Sequence, residues 1–216
     1  MTCAVVPVKI LSKAKSRLLP SLDRPQCEAL SLAMLQDVVT ALADTPSVTR
    51  IVALTPDATV ARAAREAGAE ALERPDQGLN PAIDAAARDL GLGARDPYLV
   101  VLGDVAGATG EDLETLCRAT AKHAEPAVAL APARDGGSAA LLRTPHDAIP
   151  SRFGPESARA HREAAREAGV AFLECSLPSL QLDLDCPEDL EAFLRGRYQG
   201  AHTREFLAAL TLPRSA

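Results

Sequence analysis

Residues 98–104 read YLVVLGD, and this stretch decides the fold. Its unbroken apolar run lacks the polar alternation of a strand with one wet face, so it is a strand covered on both sides, as in a parallel sheet between helices. The segment IVALT, in the run at 50–55, has the same character, and further short β-rich runs lie at 3–9, 127–133, 139–144, 172–176 and 180–185. Between the runs, Ala- and Leu-rich segments with helical spacing occupy about 24–43, 57–67, 80–91, 111–124, 156–168 and 187–195. This alternation implies βαβ units. The expected fold class is α/β: one three-layer domain over residues 1–195, with a mostly parallel sheet flanked by helices and an antiparallel excursion near 127–145. Beyond it, RGRYQGAH reads as a break and TREFLAAL as a short helix in a C-terminal tail, 196–216. That helix is expected to pack on the domain or on a partner, a homodimer included.

Composition sets the outer limits. With 216 residues, 47% of them hydrophobic, and a mean hydropathy of +0.01, the chain has the profile of an ordinary globular protein. A chain of this size buries roughly 70% of the surface it exposes when unfolded, so a core forms without disulfides or structural metal. The five cysteines are an odd set with no C-x-x-C pair, which suggests neither a disulfide framework nor a zinc site. No apolar run is long enough to span a membrane, and the N-terminus lacks the order of a secretory signal. A cytoplasmic location with no membrane partner is therefore expected.

The net charge of −6 argues against nucleic-acid binding, which needs a basic surface. Its distribution is uneven. Residues 1–24 hold five basic side chains and one acid, while the remainder holds 18 basic and 28 acidic residues. Lys9, Lys13, Lys15 and Arg17 crowd one loop after the first strand, where open α/β sheets bind ligands. Four close cations repel one another unless an anion joins them, so the cluster reads either as a solvated loop or as a seat for a small polyanion such as a nucleoside triphosphate. Neither G-x-x-x-x-G-K-S/T nor G-x-G-x-x-G is present there, which argues against P-loop and ordinary dinucleotide-binding chemistry.

Three other features carry chemistry. Asp104 follows the buried strand, as a turn residue or as a carboxylate at the mouth of the sheet. In QLDLDCPEDL, Asp183 and Asp185 alternate on an expected strand, which puts both carboxylates on one face with about 7 Å between their Cα atoms. Like charges so placed call for a cation, and hard oxygen ligands suit Mg²⁺ bridging phosphates. Glu188 and Asp189 belong rather to a helix start. Gly136-Gly137-Ser138 and Gly154-Pro155-Glu156-Ser157 form small-residue turns, the second opening a helix whose amides suit a phosphate or carboxylate. His161 is assigned to that helix.

Together PVKILSKAKSRL, AMLQDVVTAL, GLNPAI, the strand with Asp104, GGSAALL, FGPESARAH and LDLDCPEDL, in this order over about residues 4–195, resemble the 2-phospho-L-lactate guanylyltransferase family of coenzyme F-420 biosynthesis. The resemblance implies a Rossmann-like nucleotidyltransferase fold and transfer of GMP from GTP to 2-phospho-L-lactate, phosphoenolpyruvate or 3-phosphoglycerate, with release of pyrophosphate. It implies that Asp104, Asp183 and Asp185 hold Mg²⁺ and act in catalysis with Lys15. Ser138, Gly154 and Ser157 would meet the three-carbon acid, Lys9, Lys13, Lys15 and Arg17 would line the triphosphate path, and Gly78 and Asn80 would lie near the nucleotide. The chain departs from the family pattern at GDVAGAT, where a proline usually follows the aspartate, and at Gly137-Ser138-Ala139, where Gly-Thr-Asn is usual. A sugar- or molybdopterin-type nucleotidyltransferase or glycosyltransferase on the same fold, and a non-catalytic nucleotide-binding relative, are the rival readings.

Overall fold

The structure, a computed structural model, describes residues 2–93, 95–123 and 126–210. In chain order the elements are β1 (Thr2–Pro7), α1 (Arg24–Ala43), β2 (Val48–Thr55), α2 (Ala58–Glu66), β3 (Glu70–Glu73), α3 (Leu79–Asp89) and β4 (Tyr98–Val101). Then follow α4 (Gly110–Ala119), β5 (Ala127–Pro132), β6 (Ser138–Thr144), α5 (Ser157–Ala168), β7 (Ala171–Glu174), α6 (Pro187–Arg195) and α7 (Ala201–Ala209).

The strands form one sheet in the order β3-β2-β1-β4-β6-β5-β7. All neighbours are parallel except the two pairs that β6 makes, with β4 and with β5. This is the expected antiparallel excursion. Strand alternation then sorts side chains into two cores. Ala4, Val6, Leu99 and Val101 face α1, α2 and α4, whereas Cys3, Val5, Tyr98 and Val100 face α3 and α5. Both faces of β4 are therefore buried, which is why its sequence shows no alternation.

Helix α1 is buried on two sides. Its Leu35, Val38 and Leu42 pack on the sheet, and its Cys27, Leu30 and Met34 join Leu190 and Phe193 of α6 and Leu207 of α7 in a third cluster. The tail helix thus packs back on its own chain, and Asp37 of α1 fixes it by accepting from the backbone N–H groups of His202 and Thr203 at 2.9 and 2.8 Å. Those amides have no partner within the helix, so the carboxylate supplies the missing cap.

Two expectations for the sheet change. Residues 180–185 are not a strand: a 3₁₀ turn at Pro178–Leu180 leads into an extended stretch without ladder pairing. One backbone bond, Leu184 N–H to Asp104 C=O at 3.2 Å, holds that stretch against the turn after β4. Leu182 and Leu184 turn into the third cluster instead, so the alternation in LDLDC reflects burial beside the sheet rather than membership of it. Conversely, β3 is an edge strand whose EALE sequence, with both glutamates exposed, lacks a strand signal.

Candidate active site

The strand order reverses between β1 and β4, and the carboxyl ends of these two neighbours open a crevice. A cavity of about 360 Å³ lies there, lined by Lys9, Lys13, Lys15 and Arg17 from the loop after β1 and by Asp104 and Asp185. All four cations of the sequence cluster reach one wall of it. Two hydrogen bonds pin their loop: Leu11 N–H donates to Asp57 Oδ2 at 3.0 Å, and Arg24 Nη1 donates to Ala14 C=O at 2.6 Å.

Lys15 is the centre of the arrangement. Its Nζ lies 2.9 Å from Asp104 Oδ2 and 2.6 Å from Asp185 Oδ1, and its side chain is only 8% exposed. Burial alone would lower its pKa, but the two carboxylates outweigh this and hold it above the ordinary lysine value. To reach them the residue takes the left-handed conformation, φ 50° and ψ 38°, at a cost of about 1–2 kcal/mol for a residue with a Cβ. Burial also pushes Asp185 up, and Lys15, then Arg17, more than reverse the effect, so its carboxyl sits below the usual value. Among the described residues Asp183 has no such partner. Burial and then the neighbouring Asp104 charge push its carboxyl up to about 6.

Among the described residues, no three carboxylate, imidazole or thiol groups already converge as a coordination shell. The donor set nevertheless fits Mg²⁺. Asp104, Asp183 and Asp185 present hard oxygens, and Asp104 Oδ1 is buried with no hydrogen-bond partner among the described residues. Such an oxygen is costly unless a cation or donor meets it.

The two Gly-containing turns meet at the same edge of the sheet. Ala158 N–H at the start of α5 donates to Gly136 C=O at 3.2 Å. Gly136 has φ +87°, which strains any residue with a Cβ, and a Cβ there would stand 3.1 Å from Glu156 Oε1, so a side chain would also make the Glu156 carboxylate shift. Asp135 in this turn adds to the upward shift of Asp183. Ser138 and Ser157 are buried, Gly154 is exposed, and none of the three lines the cavity.

Sequence reasoning overlooked the scaffold behind these turns. Three successive backbone N–H groups are each taken by a side chain: Ser151 by Asp84 Oδ2 at 3.1 Å, Arg152 by His161 Nε2 at 2.9 Å and Phe153 by Asn80 Oδ1 at 2.7 Å. Asn80 Nδ2 returns a bond to Phe153 C=O at 3.0 Å. The Asn80 amide is thus occupied in holding the 151–153 loop. Asp84, one turn further along α3, also accepts from the buried Arg143 at 2.9 Å. The signal was present as Asn80 and Asp84 at i and i+4 on one helix face. Gly78 does line the crevice, in a second lobe of about 190 Å³ with Pro7, Leu54, Pro56 and Pro75.

Comparison with known proteins identifies the fold and the family. A nucleotidyl transferase from Methanothermobacter superposes with a TM-score of 0.64 at 16% identity, over 97% of this chain and 99% of that one. The CMP:2-keto-3-deoxy-manno-octonic acid synthetase solved with CTP superposes with a TM-score of 0.60 at 15% identity, over 97% and 99%. The fold is therefore the Rossmann-like nucleotidyltransferase fold. Among curated proteins, the phosphoenolpyruvate guanylyltransferase of Sphaerobacter thermophilus is 36% identical over 94% of this chain and 98% of its own. The 3-phospho-D-glycerate guanylyltransferase of Colwellia psychrerythraea is 32% identical over 88% and 90%. The profile of the family described as "Guanylyl transferase CofC like" matches residues 2–215, and the chain belongs to that family of nucleotidyltransferases.

Proposed function

We propose that this protein transfers GMP from GTP to the phosphate of a three-carbon phosphate acid, releasing pyrophosphate. The acid is phosphoenolpyruvate or 3-phosphoglycerate, those in the names of its relatives, with 2-phospho-L-lactate as the third candidate. The observation that carries the proposal is the convergence of Lys9, Lys13, Lys15 and Arg17 with Asp104 and Asp185 on one cavity at the strand-order reversal. Cations there suit a triphosphate, and the adjoining lobe lined by Pro7, Leu54, Pro56 and Pro75 suits a flat base.

In the reaction a phosphate oxygen of the acid attacks the α-phosphorus of GTP. A new P–O bond forms, the bond from the α-phosphorus to the bridging oxygen breaks, and pyrophosphate departs with the electron pair. The nucleophile is already an anion at neutral pH, so the chain needs no general base. Its task is positioning and charge neutralisation. Asp104, Asp183 and Asp185 are the residues that would hold Mg²⁺, which when bound neutralises phosphate charge. Lys9, Lys13 and Arg17 draw in the triphosphate, and Lys15 supplies a buried positive charge beside the carboxylates. The acid is assigned to the turns at 135–138 and 154–157, as the resemblance implies for Ser138, Gly154 and Ser157.

Pyrophosphate release tests the reading. GTP with each of the three acids is compared with ATP and CTP under the same conditions. Release with GTP that depends on one of these acids is expected, and release from no nucleotide with any acid overturns the proposal.

A further inference from the structure

We infer that His161 is a positioning residue for the acid substrate, acting through the hydroxyl of Ser138. The inference rests on the reading that Ser138 belongs to the acid's seat. It starts from two hydrogen bonds on one buried ring. Nε2 of His161 lies 2.9 Å from the backbone nitrogen of Arg152, and Nδ1 lies 2.9 Å from Ser138 Oγ. A backbone N–H only donates, so Nε2 accepts and carries no proton. The neutral ring then bears its hydrogen on Nδ1, which donates to Ser138 Oγ.

The consequence falls on the serine. A hydroxyl has one hydrogen to give. With His161 as donor, Ser138 cannot give its hydrogen to the ring, and among the described residues its Oγ has no other hydrogen-bond partner. The histidine thereby leaves the one hydrogen of Ser138, itself buried, to an acceptor other than the ring, at the turn whose partner segment opens α5. An anionic oxygen is the group that such a donor suits.

The rest of the surroundings hold this tautomer. His161 is fully buried, and burial, followed by the positive charge of Arg143, lowers its pKa to about 4. The ring meets Phe153 edge-on at 5.0 Å between centroids. Phe153 is in turn fixed by Asn80, and Ser151 by Asp84. The imidazole therefore cannot rotate without releasing the Arg152 amide.

Two near-isosteric substitutions separate the ring's two bonds. In His161→Asn the side-chain amide nitrogen falls near the position of Nδ1 and retains the donor to Ser138. His161→Gln instead puts its polar end near Nε2 and loses that donor. The measurements are KM and kcat for the preferred acid, GTP affinity by calorimetry and Tm, for both variants, Ser138→Ala and the double variant His161→Gln/Ser138→Ala. His161→Gln and Ser138→Ala are each expected to raise the acid's KM by roughly tenfold or more, the scale of one hydrogen bond to a charged group, with GTP affinity and kcat little changed. The double variant is expected to be no worse than Ser138→Ala alone, and His161→Asn to stay close to wild type.

Equal impairment in both histidine variants, multiplying effects in the double variant, or a parallel loss of GTP affinity assigns His161 a merely structural role and overturns the inference. A raised KM in Ser138→Ala with none in His161→Gln overturns it alone. An unchanged KM in Ser138→Ala overturns the acid-seat reading beneath it as well. If His161→Gln does not fold, His161→Asn still decides, since a KM raised as far as in Ser138→Ala contradicts the donor role.

Discussion

The ammonium of Lys15 stands 2.6 Å from a carboxylate oxygen of Asp185 across 170 residues of sequence, and bonds Asp104 at 2.9 Å on its other side. One buried cation thus ties the loop after β1, the turn after β4 and the approach to α6 into a single site.

Lys15→Met is expected to abolish turnover and to lower Tm by roughly 4–8 °C, since two close carboxylates lose their shared cation. The corresponding loss of about 2 kcal/mol is smaller than for a fully buried pair because both acids reach water. Millimolar Mg²⁺ is expected to raise the variant's Tm more than that of the wild type, as a metal then replaces the missing charge. Thermal scans with and without Mg²⁺ check this, and equal Mg²⁺ responses would count against a shared cation seat.

Asp183→Asn is expected to abolish turnover without loss of stability. Burial and Asp104 raise the folded-state pKa of Asp183 from 3.8 to about 6. The folded state therefore holds a proton that the unfolded chain has released, and stability from this group is lost as pH rises from about 4 through 6. The variant's Tm is expected to match or exceed that of the wild type at pH 8, with a smaller difference at pH 4.5. A lower Tm at pH 8 would show the carboxylate to be structurally favourable.

Lys13→Ala and Arg17→Ala are expected to weaken GTP binding most at low salt. Both side chains are exposed, so their attraction is screened as ionic strength rises. Calorimetry at 50 and 300 mM NaCl checks this: affinity that falls equally at both concentrations points to a damaged loop.

His161 titrates in the opposite sense to Asp183. Its folded-state pKa is lowered to about 4 from 6.5, by burial first and by Arg143 next, with the Ser157 backbone and then Asp84 opposing and Arg152 adding. Below about pH 6.5 the unfolded chain binds a proton that the folded one refuses, so stability is lost as pH falls toward 4. His161→Asn is expected to flatten the acid limb of the stability profile. Chemical denaturation from pH 4 to 7 checks it, and an unchanged limb would assign the acid loss to other groups.

The sequence announced the parts of this site that depend on local pattern. YLVVLG is apolar throughout because β4 is covered on both faces, and the four cations stand in one loop, so the strand end and the crevice were legible. The run at 180–185 misled, because Leu182 and Leu184 alternate against α1 and α6 instead of against a sheet. The clamps on residues 151–153 were hidden by distance: Asn80 and Asp84 act 73 and 67 residues away. Lys15 carried a positive-charge signal, but its left-handed backbone and its choice of Asp104 and Asp185 are tertiary facts.

The most direct test of nucleotidyl transfer at this site follows the oxygen atoms. The preferred acid, labelled with ¹⁸O in its phosphate, is incubated with unlabelled GTP, protein and Mg²⁺, and the products are weighed by mass spectrometry. Attack by the acid's phosphate on the α-phosphorus predicts a guanylylated acid that retains all of the label, beside unlabelled pyrophosphate. Formation of GDP, or of pyrophosphate with free GMP and no guanylylated acid, would contradict the account.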